Sequence, residues 1–375
     1  MSKTVSVVLC TYNGAKYLRE QLESVVNQTY PLHELLIQDD GSTDGTTDIA
    51  AEYAAKYPFV RCLQNDGKHG LNPNFFSAMR KATGNYIAIC DQDDIWELDK
   101  IEKQVAAIGD HLMCTHRTVP FSEDGSSVRY DQRTPNIGLL RLQYASVAGH
   151  TTLFRRELLD LLPDVSHTYY GTVYDVILAI TAAAYCPLVL IDEPLVHQRR
   201  YTTAASYTGV DSHRIPGYYN GLYIIGWSLA HFRQVKPLMV KHFKTRASLL
   251  DSIHANTKSY HEAVKMLRLQ SSPSLWSLLR LQAFFIRHRS EIFYTKGKDP
   301  QNFIRAFLFP VMQVYNYKYL LQAYSFWHSP SFFCQLFSST LLMAKTALKR
   351  LKNGLLSLSR VKSEFTVTKP WVYPT

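Results

Sequence analysis

The sequence predicts an α/β protein: a mostly parallel sheet flanked by helices, followed by a helical C-terminal extension. In the first part of the chain, short apolar runs alternate with segments of helical periodicity, which is typical of parallel sheets. Several of these runs end on polar or acidic residues, as strands do at a ligand-binding edge. Beyond residue 220, helical patterns dominate.

The predicted elements follow one another in the order that such a sheet requires. Turn residues such as Gly14 and Gly84 separate apolar runs from segments with apolar residues three or four apart. The predicted strands are 5–9, 34–37, 59–63, 87–90, 112–119 and 189–191, and the helices lie at 14–31, 44–57, 72–84, 99–108, 174–184, 221–233, 237–270, 273–295, 300–325 and 331–360.

The fourth apolar run, Ile87 to Cys90, stops on three carboxylates within four residues, Asp91, Asp93 and Asp94. Ionised carboxylates repel one another, and their burial destabilises a fold unless a positive charge accompanies them. A divalent cation that carries a phosphorylated ligand would supply that charge. The alternative is a solvated loop in which the first aspartate begins a turn and one of the others caps a helix.

Polar residues follow three predicted strands, at Tyr12-Asn13, Asp39-Asp40 and Asp91-Gln92-Asp93. The carboxyl ends of parallel strands meet at one edge, so these side chains should converge. No Gly-x-Gly-x-x-Gly follows the first strand, and the sequence contains no P-loop. A phosphorylated ligand would therefore need a metal bridge, and oxygen ligands favour Mg²⁺ or Mn²⁺ over zinc.

Charge divides the chain of 375 residues unevenly. Residues 1–219 hold 19 Lys+Arg and 26 Asp+Glu, a net charge of −7, whereas residues 220–375 hold 22 and 5, a net charge of +17. We therefore expect a catalytic domain at 1–219 and a basic, aromatic helical region at 220–375. That region suits an anionic membrane surface, with peripheral contact through 273–360. The alternative is a helical subdomain that packs on the catalytic core with its Lys and Arg facing water. Nucleic acid is not expected, because no nucleic-acid module is recognisable.

The cysteines and the N-terminus favour a cytoplasmic protein. Its expected membrane contact would then be with the inner face of the plasma membrane. Six cysteines are scattered without a Cys-x-x-Cys pair, so reduced core residues are expected instead of disulfides or a zinc site. Met1 leads almost directly into a strand-like run without a recognisable signal peptide. No helical segment offers 18 uninterrupted apolar residues, so no membrane span is expected.

Residues 5–105 resemble a family 2 glycosyltransferase of the GT-A fold, and the resemblance extends to about residue 201. The Asp-Gln-Asp-Asp-Ile-Trp form resembles a bacterial rhamnosyltransferase-like subgroup of cell-surface polysaccharide synthesis. Four motifs stand in the family's order and spacing. They are Ser6 to Gly14, Gln28 to Tyr30, Asp39 to Asp44, and Asp91 to Trp96.

The resemblance implies a nucleotide site at the sheet edge. Tyr12 would stack near the base, beside Thr11, and Asp40 would accept a hydrogen bond from the ring N–H. Asp91 would lie near the ribose, and Asp93 would hold Mg²⁺ or Mn²⁺ at the diphosphate. The alternatives are an aromatic side chain that covers the sheet edge and acidic residues that only form turns and helix caps.

The resemblance also implies donor and acceptor contacts, and Asp175 as the catalytic base. Asp175 begins a predicted helix, where a capping role is the alternative. Tyr174 stands where the family usually has an acid or a histidine, which is a departure from its pattern. The remaining contacts would be Trp96, Gly149, His150, Arg199 and Arg200. A local hydrogen-bonding histidine and a solvated basic loop are the alternatives for the last three.

These observations predict an inverting, metal-dependent glycosyltransferase. It would move a sugar from a UDP- or dTDP-sugar, dTDP-rhamnose among them, to a hydroxyl of a saccharide or lipid-linked saccharide. Residues 202–220 are expected to form a loop that closes over substrate. Two alternatives are a nucleotidyltransferase and a non-catalytic sugar-nucleotide-binding protein that has kept the fold.

Overall fold

The computed structural model of the protein contains two compact units. Residues 1–214 and 240–310 form the first, and residues 215–239 and 311–375 form the second. The expected loop at 202–220 lies almost entirely outside the described residues, as does the expected helix at 331–360. The structure describes residues 3–65, 67–124, 128, 134–164, 172–201, 218–272, 274–293 and 299–318.

Eight strands of the first unit form one sheet, in the order β3-β2-β1-β4-β7-β6-β8-β5. Strands β1 to β4 pair in parallel, β6 and β8 also pair in parallel, and the remaining pairings are antiparallel. The strands are β1 (Val5–Thr11), β2 (Glu34–Asp39), β3 (Val60–Gln64), β4 (Tyr86–Cys90), β5 (Ile95–Trp96), β6 (Met113–Ser122), β7 (Leu153–Arg155) and β8 (Val189–Arg200).

Helices cover the sheet because its central strands are apolar on both faces. Every residue of β1 and of β4 is buried, and strands buried on both faces need a helical layer on each. The helices of the first unit up to the end of the sheet are α1 (Ala15–Val26), α2 (Thr46–Lys56), α3 (Leu71–Lys81), α4 (Lys100–Ala107), α5 (Leu139–Leu142) and α6 (Tyr174–Tyr185). The predicted α/β class with a helical C-terminal region is confirmed.

The carboxyl ends of β1, β2 and β4 lie side by side. Thr11 is the register partner of Asp39, and Leu9 is the partner of Cys90. The residues that follow these strands therefore start from one edge of the sheet, which confirms the convergence expected from the sequence. This edge carries the candidate site.

Two segments between 146 and 200 depart from a simple alternation of strands and helices. Residues Gly149–Thr151 form a 3-10 turn before the short strand β7. Strand β8 continues to Arg200 instead of ending at 191, because it pairs with β6 along most of its length, with register shifts near Arg117. The sheet is therefore mixed in its second half, where antiparallel β7 inserts between β4 and β6.

The later helices are α7 (Tyr218–Asp251), α8 (Lys258–Gln270), α9 (Leu275–Arg287), α10 (Arg289–Ile292) and α11 (Asp299–Met312). The expected break before Pro237 is absent, since α7 runs through this proline. The chain breaks instead before α8, where the Thr257 side chain caps the helix by accepting the Tyr260 N–H. The domain boundary at 219/220 stays a prediction. None of the described helices is long and apolar enough to cross a bilayer.

Candidate active site

Acidic side chains that follow β4 meet a histidine from a distant part of the sequence. Asp91, Asp93 and Asp94 lie between β4 and β5, and His150 lies in the turn before β7. His150 Nδ1 is 3.0 Å from Asp91 Oδ2 and 3.5 Å from Asp94 Oδ2. The pairing of β4 with β7 brings these groups together, because it places the turn beside the end of β4.

His150 is almost fully buried, at 2% exposure. Burial alone would lower its pKa, but the carboxylates of Asp94 and Asp91 outweigh burial and raise the pKa above its usual value. The imidazolium therefore offsets the repulsion between two carboxylates. No described residue hydrogen-bonds to its buried Nε2.

Asp94 carries the most deeply buried carboxylate of the cluster. Its pKa is raised by burial and by the charges of Asp91 and Asp93, while His150 opposes the rise. Oδ1 accepts the backbone N–H of Arg199 at 3.0 Å. Oδ2 is buried and accepts no hydrogen bond from any residue that the structure describes. Because a buried oxygen without a hydrogen-bond donor is costly, and His150 approaches it only to 3.5 Å, a bound cation would stabilise it.

Asp91, Asp94 and His150 fit a divalent cation, which would replace the proton that the imidazole holds between the carboxylates, because histidine ligates a metal only as the neutral ring. Each offers one ligand atom, and these atoms all lie within 4.8 Å of one another. Carboxylate oxygens are the ligands that Mg²⁺ and Mn²⁺ prefer. The Asp94 oxygen without a hydrogen-bond donor is the observation of this structure that supports the fit.

Asp93, the metal ligand predicted from the sequence, lies beside this trio but is not a member of it. The Tyr201 hydroxyl donates a hydrogen bond to Asp93 Oδ2 at 2.6 Å. Burial and the charge of Asp91 raise the pKa of Asp93, and the Tyr201 bond opposes that rise. Its role as a ligand therefore stays a prediction.

Asp175 begins α6 and belongs to the same electrostatic group. Burial raises its pKa to about 6, the Val176 N–H lowers it, and the charge of Asp91 adds to the rise. The Val176 N–H donates to Asp175 Oδ1 at 2.6 Å, so one oxygen serves the helix start while the side chain stays partly exposed. The N-cap of α6 is Val173, and no side chain caps the helix, so Asp175 is an acid of the first turn and not the cap. A backbone hydrogen bond from Gly149 also lowers its pKa.

The start of α6 is held by the α3 side chains. Asn72 bridges the backbone: its Nδ2 donates to the Thr172 carbonyl at 2.7 Å, and its Oδ1 accepts the Tyr174 N–H at 2.8 Å. The Phe75 ring stacks on the Tyr174 ring, with centroids 4.0 Å apart. These contacts fix the position of Asp175 relative to the sheet edge.

Gly149 lies against the Tyr174 side chain. A Cβ built on Gly149 would lie 2.2 Å from the Tyr174 hydroxyl, far inside van der Waals contact. Tyr174 is buried, and its pKa is raised by burial and then by the charges of Asp91 and Asp175. The tyrosine that departs from the family pattern therefore lies within the acidic cluster.

The nucleotide side of the edge is organised by loop hydrogen bonds. The Thr11 hydroxyl donates to Asp39 Oδ1 at 2.7 Å. The backbone of Tyr12 exchanges hydrogen bonds with the Gln92 side chain, at 2.9 Å and 3.1 Å, which ties the loop after β1 to the loop after β4. The Tyr12 side chain is 58% exposed, so its ring is accessible for stacking.

Asp40 is held by the residues that precede α3. Asn65 Nδ2 donates to its Oδ1 at 2.6 Å, and the Gly70 N–H donates to its Oδ2 at 2.8 Å. His69 Nδ1 lies 3.0 Å from Oδ1. These contacts fix the Asp40 carboxylate in one orientation. The contact of Asp40 with a nucleotide base stays a prediction.

Arg199 has partners in the structure that the sequence analysis did not predict. Its guanidinium donates to Glu20 Oε2 at 2.5 Å and to the Asp93 carbonyl at 3.0 Å. It lies between the rings of Tyr17 and Phe121, at 4.5 Å and 4.6 Å from their centroids. In this arrangement the side chain anchors the acidic loop. A contact with a diphosphate stays a prediction.

Arg200 and Trp96 also lie outside the acidic cluster. Arg200 is half-buried at the end of β8. Trp96 is a core residue at 2% exposure, with the Lys100 ammonium 3.5 Å from its ring centroid. The sequence motif gave no sign of this burial, because its apolar Ile95-Trp96 pair is too short to show a facing pattern. The substrate contacts proposed for both residues are untested.

Asp94, Gln92, Asn72 and Tyr201 are functional candidates that the sequence analysis did not assign. The first two stand inside the recognised motif, where the pattern alone could not say which acid is most buried. Asn72 reads as part of a helix start signal. Tyr201 directly follows the Arg199-Arg200 pair and departs from the family pattern there. Asn72 and Tyr201 each contact a residue about 100 positions away in the sequence, so local pattern could not reveal these contacts.

Part of the chain is similar in sequence to known proteins. A family model described as Glycosyl transferase family 2 matches residues 6–162. A Haemophilus influenzae protein named as an uncharacterized glycosyltransferase is 30% identical over 176 residues, which is 46% of this chain and 70% of that protein. An Escherichia coli chondroitin synthase is 29% identical over 181 residues, which is 47% of this chain and 26% of the synthase.

Among solved structures, residues 1–349 of Staphylococcus aureus TarS in complex with UDP-GlcNAc are similar at a TM-score of 0.48 and 15% identity, over 81% of this chain and 90% of that one. The chain spans much less than two thirds of several other relatives, such as 34% of the Streptococcus pneumoniae glycosyltransferase GlyG. The family match and the Haemophilus influenzae relative show that this chain belongs to glycosyltransferase family 2.

Proposed function

We propose that this protein is an inverting, metal-dependent glycosyltransferase that uses a nucleotide-diphospho-sugar. The observation that carries the proposal is the central position of Asp91. Its carboxylate contacts His150, and its charge raises the pKa of Asp93, Asp94 and Asp175. Carboxylates from the end of β4 and the start of α6 therefore share one electrostatic site, as a cation site beside a catalytic base requires.

The donor nucleotide lies along the loops after β1 and β2. Tyr12 offers an exposed ring for the base, Thr11 lies at the end of the strand beneath it, and Asp40 presents a carboxylate in a fixed orientation. The Gln92 bridge couples this half of the site to the acidic loop. The nucleotide is UDP or dTDP, and dTDP-rhamnose is the donor that the Asp-Gln-Asp-Asp-Ile-Trp motif favours.

Asp91, Asp94 and His150 are the groups that would hold Mg²⁺ or Mn²⁺, with Asp93 beside them. When bound, the ion neutralises the charge that develops on the leaving diphosphate. The chain contributes by keeping these carboxylates together without the ion, through His150. Arg199 supports the same loop through the Asp93 carbonyl and the Asp94 carboxylate.

Asp175 accepts the proton of the acceptor hydroxyl as that oxygen attacks the anomeric carbon. With a pKa of about 6, its carboxylate is mostly ionised at neutral pH and is more basic than an ordinary aspartate. A single displacement needs one base and forms no covalent sugar–enzyme adduct. Gly149 and His150, in the turn before β7, lie on the acceptor side.

The acceptor is a hydroxyl of a saccharide or lipid-linked saccharide in cell-surface polysaccharide synthesis. The partial likeness to a polymer synthase, the chondroitin synthase, supports this assignment. The basic C-terminal region supports a cytoplasmic enzyme that contacts the inner face of the plasma membrane.

A donor-hydrolysis assay with Mn²⁺ tests the reaction class. Release of a nucleoside diphosphate from one of a panel of nucleotide sugars supports the proposal. Release of pyrophosphate indicates a nucleotidyltransferase. No turnover of any donor, together with donor binding in a thermal-shift assay, indicates a binding protein that has lost the chemistry.

A further inference from the structure

Two neighbouring helices of the first unit present large apolar side chains to solvent. Trp276 and Leu279 on α9 are 74% and 50% exposed, and Phe303, Ile304 and Phe307 on α11 are 45%, 58% and 50% exposed. We call these five residues the apolar face. Single exposed apolar residues are ordinary, but five large ones on two helices that contact each other are more than the usual scatter and indicate an interaction surface.

The helices that carry the apolar face are in contact. The Gln282 side chain of α9 donates to the Phe307 carbonyl of α11 at 3.0 Å. The Phe285 and Phe309 rings meet edge to face, with centroids 5.1 Å apart. Phe285 and Ala306 are fully buried, so each helix already has one apolar side packed on the protein. The apolar face is therefore additional to the core.

The sequence segment that carries the apolar face is basic. Residues 272–318 contain seven Lys or Arg and two Asp or Glu, a net charge of 7 − 2 = +5. Arg280 and Arg287 lie exposed on α9, and neither forms an ion pair with any residue that the structure describes. One of the two acids, Asp299, is already paired with Arg289. Excess positive charge beside exposed aromatic and aliphatic side chains matches a surface of anionic lipid headgroups.

We propose that the apolar face of α9 and α11 binds an anionic membrane surface, with Trp276 and the α11 side chains entering the headgroup layer. Neither helix is long and apolar enough to cross a bilayer, so they lie on the membrane. Membrane binding extends the proposed function, because it would bring the enzyme to the lipid-linked acceptor that the proposed function assumes. It depends only on this surface and does not require that the acid cluster be catalytic.

Flotation of the full chain with lipid vesicles tests the surface. The wild-type protein should float with vesicles of phosphatidylcholine and phosphatidylglycerol and remain at the bottom with phosphatidylcholine alone. Trp276→Ser combined with Phe307→Ser should weaken binding about tenfold or more, because these side chains supply the apolar contact. Arg280→Glu combined with Arg287→Glu should also weaken it and reduce its sensitivity to salt.

Matched controls show whether a loss of flotation comes from the apolar face, from unfolding or from a change in catalysis. Leu98→Ser removes a side chain that is 51% exposed elsewhere in the first unit, and it should float like the wild type. Asp175→Asn should float unchanged while losing transfer, so a failure of the proposed chemistry leaves the lipid result intact. Circular dichroism melts of each variant confirm folding.

Two results would overturn the proposal. One is flotation of both double variants at the wild-type level, which would assign membrane binding to another part of the basic region. The other is a dimer in sedimentation velocity without lipid that Trp276→Ser with Phe307→Ser converts to a monomer, which would make the apolar face a contact between two copies of the chain.

Discussion

At the carboxyl end of β4, ionisable side chains lie buried, whereas on α9 and α11 large apolar side chains lie exposed. Asp94 and His150 are 2% exposed, while Trp276 is 74% exposed. Both regions reverse the usual distribution, in which apolar groups are inside and charges are outside. Each reversal carries an energetic cost, which the proposed cation and diphosphate would offset in the first case and the proposed lipid surface in the second. Functional surfaces of opposite chemistry can thus be found by the same criterion.

The largest expected effect tests whether the buried charges perform chemistry. Asp175→Asn keeps the shape and the Val176 contact but removes the base, so the rate of sugar transfer should fall about 10²–10⁴-fold. Donor affinity, measured by calorimetry, should change little. A variant that transfers sugar at a near-normal rate would show that another group is the base.

Metal binding should distinguish the carboxylates within the cluster. Asp94→Asn should weaken Mn²⁺-dependent binding of the nucleoside diphosphate about 10–100-fold in calorimetry, because it removes charge from the most buried oxygen pair. Asp93→Ala tests the ligand predicted from the sequence in the same experiment. Asp99→Asn, an exposed acid paired with Lys103, is the matched control. If only the Asp93 variant loses metal, the trio identified from the structure is not the ligand set.

The support of Asp175 by α3 can be measured separately from its chemistry. Asn72→Ala removes both hydrogen bonds to the backbone before Asp175, and kcat should fall about tenfold while the KM for the donor stays the same. Asn72→Asp keeps an acceptor for the Tyr174 N–H and should recover part of kcat. An equal loss in both variants would indicate a general loss of stability instead of positioning.

The pH dependence follows from the environment of Asp175. A base must be unprotonated, so kcat should be level above the pKa of about 6 and fall about tenfold per pH unit below it. Because the charge of Asp91 raises this pKa, Asp91→Asn should move the midpoint of its residual activity to lower pH. A midpoint that does not move in this variant would mean that Asp91 and Asp175 are not coupled.

The smallest expected effect concerns a buried charge outside the cluster. Burial lowers the pKa of Lys100 to about 7, and its ammonium donates to Gln104 Oε1 at 3.0 Å. The unfolded chain binds the proton more tightly, so this residue destabilises the fold fully below pH 7 and progressively less as pH rises toward 10.5. Lys100→Met should therefore raise the free energy of unfolding by roughly 1–3 kcal/mol at pH 7, and less at pH 9, in chemical denaturation. A lower stability would mean that the Gln104 contact outweighs the cost of burial.

The sequence identified those parts of the site that follow from local pattern. Apolar strands that end at Thr11, Asp39 and Cys90 placed the polar loops on one edge, since parallel strands leave no other arrangement. The contacts between distant segments were not accessible in this way. The distance from His150 to Asp91 depends on the antiparallel insertion of β7, and short strands such as Leu153–Arg155 leave almost no periodic signal.

The sequence also could not predict the partners of individual side chains. The guanidinium of Arg199 binds Glu20 and the Asp93 carbonyl between two aromatic rings, partners that the sequence did not indicate; its contact with a diphosphate stays a prediction. Its basic neighbourhood in the sequence contains none of these partners, which come from β6, α1 and the loop after β4. Likewise, Pro237 suggested a helix end that is absent, because proline disfavours a helix without forbidding it.

The packing of Gly149 against the Tyr174 hydroxyl constrains how this enzyme can diversify. Any side chain added at 149 would occupy the space of that phenol, so the two positions can change only in concert. A directed-evolution library that varies 149 alone would yield disrupted proteins, whereas one that first shortens residue 174 would open a new recess beside Asp175, the proposed base. That recess is where altered acceptor preference could arise.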